Sequence, residues 1–314
     1  MSQEEMLYLE FSSESVGAAS LLVKKAAQKK QDHMGEMTVE EQRAYNQKLY
    51  EALPTLPGIH TTPVTLGEVP CEWVGLSEAL TPKVILYLHG GGWCLGNLVT
   101  SRFAASLFAQ ATELSVLSVE YRLAPEHPFP AGLEDCRAVW DALLQMGYQP
   151  RQIALLGDSA GGNLCLALTH LLRAEGAALP CAIGLLSPVT DLSDASNFRR
   201  CPPPLAFAYW QGKRQNIMDL YAQGHSLTDP LLSPVCGDLQ GFPPLLIHVG
   251  GDESLAADCA AFAKKAHGQG VDAFCKIWRE MFHDFSLTGH TLRESRQSVA
   301  EMGEFLLRHL NSLE

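Results

Sequence analysis

From about residue 80 onward, two hydrophobic periods alternate along the chain. Short continuous apolar runs, VILYL at 84–88, SVLSVE at 115–120, IALLG at 153–157, AIGLLS at 182–187, LLIHVG at 245–250 and AFCKIW at 273–278, have the length and composition of buried strands. Between them lie segments of helical period. The clearest starts near Ala160, where Leu164, Leu168, Leu171 and Leu172 recur at i, i+4, i+7 and i+8 and Gly176 follows as a stop. Segments 131–146, 255–267 and 293–310 read the same way. Strands that are apolar throughout have no solvent-facing side, and each helical crossover covers one face or the other. The pattern therefore predicts an α/β fold on a mostly parallel sheet with helices on both faces.

Two stretches depart from this alternation. Residues 1–55 carry the charged helical runs KKAAQKKQD and TVEEQRAYNQKLYEAL, and residues 190–232 are rich in Pro, Tyr and Trp. Both are candidates for a cap, an N-terminal segment at 1–55 and a second at about 190–232, on a main α/β domain that spans 56–314. The alternative for the first segment is a solvated helical extension that supports the sheet.

Composition narrows the possible partners. A chain of 314 residues with 46% hydrophobic content builds a core without metals or disulfides. A net charge of −12 weighs against nucleic acid and anionic membranes as partners and favours a small neutral molecule. No apolar stretch reaches the roughly 18 to 20 residues that a membrane-spanning helix needs. The start, MSQEEMLYLEF, is acidic where a secretory signal is basic, which predicts a cytoplasmic protein. Nine cysteines, an odd number without a C-x-x-C pair, suit a reducing compartment better than a disulfide framework or a thiolate zinc site.

Candidate chemistry begins where the strand 153–157 runs into Gly157-Asp158-Ser159-Ala160-Gly161-Gly162 and the helix follows at once. Gly-x-Ser-x-Gly between a strand and a helix makes a sharp turn that leaves the serine hydroxyl standing clear, so Ser159 is the candidate nucleophile. The strand 84–88 ends in His89-Gly90-Gly91-Gly92-Trp93, whose glycines free the main chain to approach a substrate carbonyl. Backbone N–H groups of Gly91, Gly92 and Ala160 are the candidate oxyanion hole. His89 reads as a brace for this loop, and Trp93 as either core or a wall of the substrate site. Phosphate binding by the glycines is disfavoured, since neither G-x-G-x-x-G nor G-K-[ST] is present.

A serine nucleophile needs a base, and that base needs an orienting acid. In the fold this elbow implies, the order is Ser, acid, His, the last two on loops after late strands. Those loops hold Gly251-Asp252-Glu253-Ser254 and Arg279-Glu280-Met281-Phe282-His283-Asp284-Phe285. His283 is the expected base, ahead of His248 and His290. Asp252 is the expected acid, with Glu253 its immediate competitor because adjacent residues on a turn point in different directions. The chemistry requires no metal or organic cofactor.

Taken with Tyr121-Arg122-Leu123-Ala124-Pro125-Glu126, Pro128-Phe129-Pro130-Ala131 and Met281-Phe282-His283, these motifs make residues 80 to 310 resemble the hormone-sensitive-lipase family of esterases. Asp229-Pro230-Leu231-Leu232-Ser233-Pro234 and Gly241-Phe242-Pro243-Pro244 resemble that family's approach to its acid loop. The resemblance implies an α/β-hydrolase fold with a helical cap, hydrolysis of short-chain acyl esters through an acyl-enzyme on Ser159, and often a homodimer. The family's acid loop commonly reads Asp-Pro-Leu. Here it is Asp252-Glu253-Ser254-Leu255, which keeps Asp252 in register and keeps Glu253 in contention. An amidase or peptidase on the same site, and a non-catalytic receptor on this scaffold, are the competing readings.

Overall fold

A computed structural model describes residues 9–11, 18–34, 37–53, 55–197 and 217–312. The six apolar runs form the parallel centre of its sheet: β4 (Val84–Leu88), β5 (Ser115–Val119), β6 (Ile153–Asp158), β7 (Ile183–Leu186), β8 (Leu245–Gly250) and β9 (Ala273–Trp278). β4 to β8 are buried on both faces, and alternate residues serve different cores. Val84, Leu86 and Leu88 join a cluster with Leu143 of α4 (Ala131–Gln145), Leu168 of α5 (Ser159–Ala174) and Phe262 of α7 (Ala256–Gly268). Ile85 and Tyr87 pack on the other side, against Phe108 of α3 (Leu98–Thr112) and Met302 and Leu306 of α8 (Arg293–Asn311). Such a sheet holds together by apolar burial on both sides, at about 1.5–3 kcal/mol for each large side chain.

Among the described residues, β1 (Leu9–Phe11), β2 (His60–Leu66), β3 (Val69–Gly75) and the helix α3 lie outside what periodicity predicted. β2 and β3 form an antiparallel hairpin at one edge. Its two-residue turn places both Gly67 (φ 56) and Glu68 (φ 66) in the left-handed region. β2 is mostly exposed and so lacks an apolar run. At the far edge the three residues of β1 pair in parallel with β9. Helix α3 buries small residues, among them Ala104, Ala105, Ser106 and Ala109, which blur its amphipathic signal.

The full order is β1-β9-β8-β7-β6-β4-β5-β3-β2. From β4 the chain steps to β5 on one side and then to β6 on the other. A crevice therefore opens at the carboxyl ends of β4 and β6, where crossovers leave in opposite directions. Leu88 and Gly157 pair at those ends, so the Gly-rich loop and the serine turn are neighbours.

Two N-terminal helices cover the crevice. α1 (Ala18–Met34) is tied down by Ser20, whose hydroxyl donates to Glu294 Oε2 at 3.0 Å, and by Lys24, whose ammonium meets Asp252 and donates to the Glu280 carbonyl at 3.1 Å. α2 (Val39–Glu51) begins with a capping box between Thr38 and Glu41. Its Arg43 donates to the Cys94 carbonyl at 2.7 Å, to the Ala124 carbonyl at 2.8 Å and in bidentate fashion to Glu126 at 2.8 Å. Of the expected second cap segment, 190–232, residues 198–216 lie outside the described residues. Its later part includes α6 (Ile217–Ala222), whose Tyr221 packs on the Gly-rich loop.

Candidate active site

Ser159 sits at the junction of β6 and α5 with φ +50, a strained conformation held by the packing around it. Glycine is required on both sides. A Cβ at Gly161 would stand 1.9 Å from the Leu88 carbonyl oxygen, and one at Gly157 would stand 2.6 Å from the Gly161 carbonyl carbon. The turn is thus wedged against the end of β4. Asp158 points beneath it, accepting from the Tyr87 hydroxyl at 2.5 Å. Burial, with the nearby Asp284 carboxylate, lifts the Asp158 carboxyl to about 7.

The Gly-rich loop faces the same space. Gly91 and Gly92 have φ of +114 and +59, and a Cβ at Gly91 would meet the Leu95 carbonyl oxygen at 2.4 Å. His89 braces the loop from below: its ring stacks on Tyr121 with centroids 4.3 Å apart, and its Nδ1 lies 2.8 Å from the Gly90 carbonyl. The Tyr121 hydroxyl donates to the His89 carbonyl at 2.6 Å. Burial lowers His89 to about 4, which keeps it neutral. Trp93 is buried and stacks on Tyr221 at 4.4 Å, giving the loop a rigid flank.

His283 reaches this space from the loop after β9. Its Nδ1 lies 2.6 Å from Glu253 Oε2, and Glu253 Oε1 accepts from the Gly250 backbone at 2.6 Å and from the Ser187 hydroxyl at 2.7 Å. The carboxylate that meets the histidine is therefore Glu253, where Asp252 was expected. The Asp252 side chain is 43% exposed and belongs to the tie with Lys24 of α1, whereas that of Glu253 is 2% exposed. The two adjacent residues leave the turn in different directions, one toward α1 and one toward the histidine. The competitors for base lie elsewhere: His248 is buried against Ser298, 2.8 Å away, and His290 is exposed.

A further carboxylate, Asp284, follows the histidine with φ +54 and brings its Oδ2 to 3.0 Å from His283 Nε2. Its Oδ1 is buried without a hydrogen-bond partner among the described residues. Burial disfavours the imidazolium, but Asp284 and Glu253 together outweigh it and raise His283 to about 10. No signal in periodicity or spacing singled out Asp284.

Ser159, His283, Gly91, Gly92 and Trp93 line one cavity of about 360 Å³, roofed by residues of α1 and α2. Ala160 follows the serine as the second residue of α5, buried beside the lining rather than in it. Sequence patterning did not single out the roof residues Lys30, Gln42, Asn46 and Tyr50. Among the described residues, no helix is long and apolar enough to cross a membrane.

Comparison with known proteins agrees with this geometry. A family model described as alpha/beta hydrolase fold matches residues 85–287. An acetyl-hydrolase of Streptomyces hygroscopicus is 37% identical over 245 residues, 77% of this chain and 81% of that protein. An esterase of Acinetobacter venetianus is 33% identical over 263 residues, 82% of this chain and 85% of its own length. The crystal structure of an esterase from the bacterial hormone-sensitive lipase family superposes with a TM-score of 0.86 at 36% identity, covering 95% of this chain and 100% of that one.

Proposed function

The chain belongs to the alpha/beta-hydrolase family, among esterases of the hormone-sensitive-lipase type, and from that premise we propose that it is a serine carboxylesterase acting on short-chain acyl esters. The observation that carries the reading is the convergence on one cavity of Ser159, the Gly91–Gly92 loop and a histidine already held by a buried carboxylate.

In this reading His283 Nε2 exchanges its contact with Asp284 for the Ser159 hydroxyl and takes its proton as the serine attacks the ester carbonyl. Glu253 holds the imidazole by Nδ1 and stabilises its charged form. The negative oxygen of the tetrahedral intermediate accepts from the backbone N–H groups of Gly91, Gly92 and Ala160. Collapse expels the alcohol, protonated by His283, and leaves an acyl-enzyme, which water attacks by the same route. A cavity of about 360 Å³ lies at the small end of ligand sites, which supports short acyl chains. A reducing, cytoplasmic setting accompanies the reading, since eight described cysteines are unpaired.

The test compares turnover of p-nitrophenyl acetate with that of the matching anilide, in the wild type and in Ser159→Ala. Faster cleavage of the anilide overturns the ester preference. Undiminished esterase activity in Ser159→Ala overturns the mechanism.

A further inference from the structure

The roof of the cavity is more polar than acyl transfer requires. On α2, Gln42, Asn46 and Tyr50 are spaced i, i+4, i+8 and form one stripe toward the cavity. Ala27, Lys30 and Met34, at i, i+3 and i+7, form another on α1. Gln42 is only 2% exposed. Its Nε2 donates to the Met37 carbonyl at 3.1 Å, which fixes how the amide is turned and leaves Oε1 buried with no partner among the described residues. Asn46 Oδ1 is likewise buried and unpartnered. Lys30 places its ammonium 5.4 Å from the centroid of the Tyr50 ring, and burial lowers its pKa.

Buried polar atoms without partners are uncommon, and two on one cavity wall point to something that pairs with them. The two carbonyl oxygens ask for donors, whereas the ammonium asks for an acceptor. A carboxylate would suit Lys30 but face two bare oxygens. An ammonium would suit the oxygens but meet Lys30. A hydroxyl satisfies both, donating its O–H to an amide oxygen while offering lone pairs to the lysine.

We propose that Lys30, Gln42 and Asn46 bind a free hydroxyl of a neutral ester, remote from the scissile bond, and so select hydroxylated esters as the substrate class. This rests on the esterase reading of the same cavity. The hydroxyl can belong to the alcohol or to the acyl part, and the experiment has an arm for each.

Two pairs of esters are compared by kcat/KM, with released acid titrated: ethylene glycol monobutyrate against propyl butyrate, and ethyl 3-hydroxybutyrate against ethyl 3-methylbutyrate. The wild type is expected to favour the hydroxylated member at least tenfold in one arm, and the arm that responds identifies the part bound. In Asn46→Leu and in Lys30→Met that ratio falls toward one. Asn46→Leu is also expected to raise the Tm, because it removes a buried acceptor that the free protein leaves unmet. A wild-type ratio of one or less in both arms overturns the proposal. So do variants that slow both members of a pair equally while lowering Tm, since that marks a structural role. Failure to cleave any of the four esters overturns the esterase reading and this inference with it.

Discussion

The floor and the roof of the cavity are built in opposite ways. Below, the loops after β4 and β6 are wedged together by backbone: Gly157 and Gly161 sit within contact distance of one another's main chain or that of Leu88, and no larger residue fits. Above, α1 and α2 are held by side chains that reach across from separate elements, such as Lys24 to Asp252 and Arg43 to Glu126. Ion pairs as exposed as these contribute about 1 kcal/mol or less each. The floor thus depends on close backbone packing that tolerates little change, while the roof is held through side chains, some of them exposed. The proposed chemistry belongs to the floor and the proposed selection to the roof.

Predictions that challenge this contrast can be ranked by the size of their effect. Glu253→Gln strikes the buried floor and should lower kcat by about 10⁴-fold, as loss of the orienting carboxylate does in other serine hydrolases. Steady-state kinetics on p-nitrophenyl acetate measures it, and a loss below tenfold would return the acid role to another residue. Gly91→Ala brings a Cβ to 2.4 Å from the Leu95 carbonyl and disturbs the oxyanion donors, so kcat should fall by about 10²-fold. An unchanged kcat would separate that loop from catalysis.

Asp284→Asn tests the charge balance at the base. Glu253 and Asp284 flank His283 directly, and Asp158 is the further carboxyl close to Asp284. The contact with Asp284 helps raise His283 to about 10, and only the unprotonated imidazole can accept the serine proton. Wild-type kcat/KM should therefore climb with pH through the alkaline range. Removing the Asp284 charge lowers that pKa and moves the acid limb to lower pH by about one unit, a tenfold gain at pH values below the limb. A limb that stays put or moves up would contradict the assignment. The smallest effect belongs to the roof: Asp252→Asn, which loosens the tie to Lys24, should change kcat by less than about threefold. A loss comparable to that of Glu253→Gln would abolish the distinction between these neighbouring carboxylates.

Much of this was readable from local pattern. The six central strands, α5 after Ser159, and α4, α7 and α8 follow from apolar runs and helical periods, because a strand buried on both faces and a helix buried on one leave distinct marks. The edge hairpin left none, since β2 is exposed and its turn is Gly-Glu rather than a residue pair common in such turns. In the site, Ser159, the glycines and His283 could be named because strand ends and backbone crowding restrict which residues can stand there. Asp252 was expected beside His283, where Glu253 stands, for want of the same restriction. Nothing within a four-residue turn says which of two carboxylates faces a histidine 30 positions away. That choice was made by long-range contacts, with Lys24 drawing Asp252 outward and Gly250 and Ser187 holding Glu253 within. The same holds for Asp284 at Nε2 and for the unmet oxygens of Gln42 and Asn46. Sequence determined by itself the elements and the strand-to-helix turn that carries Ser159, whose constraints are local in the chain. Only the tertiary structure decided which charges and polar atoms meet in the cavity, because their partners lie on segments far apart in sequence.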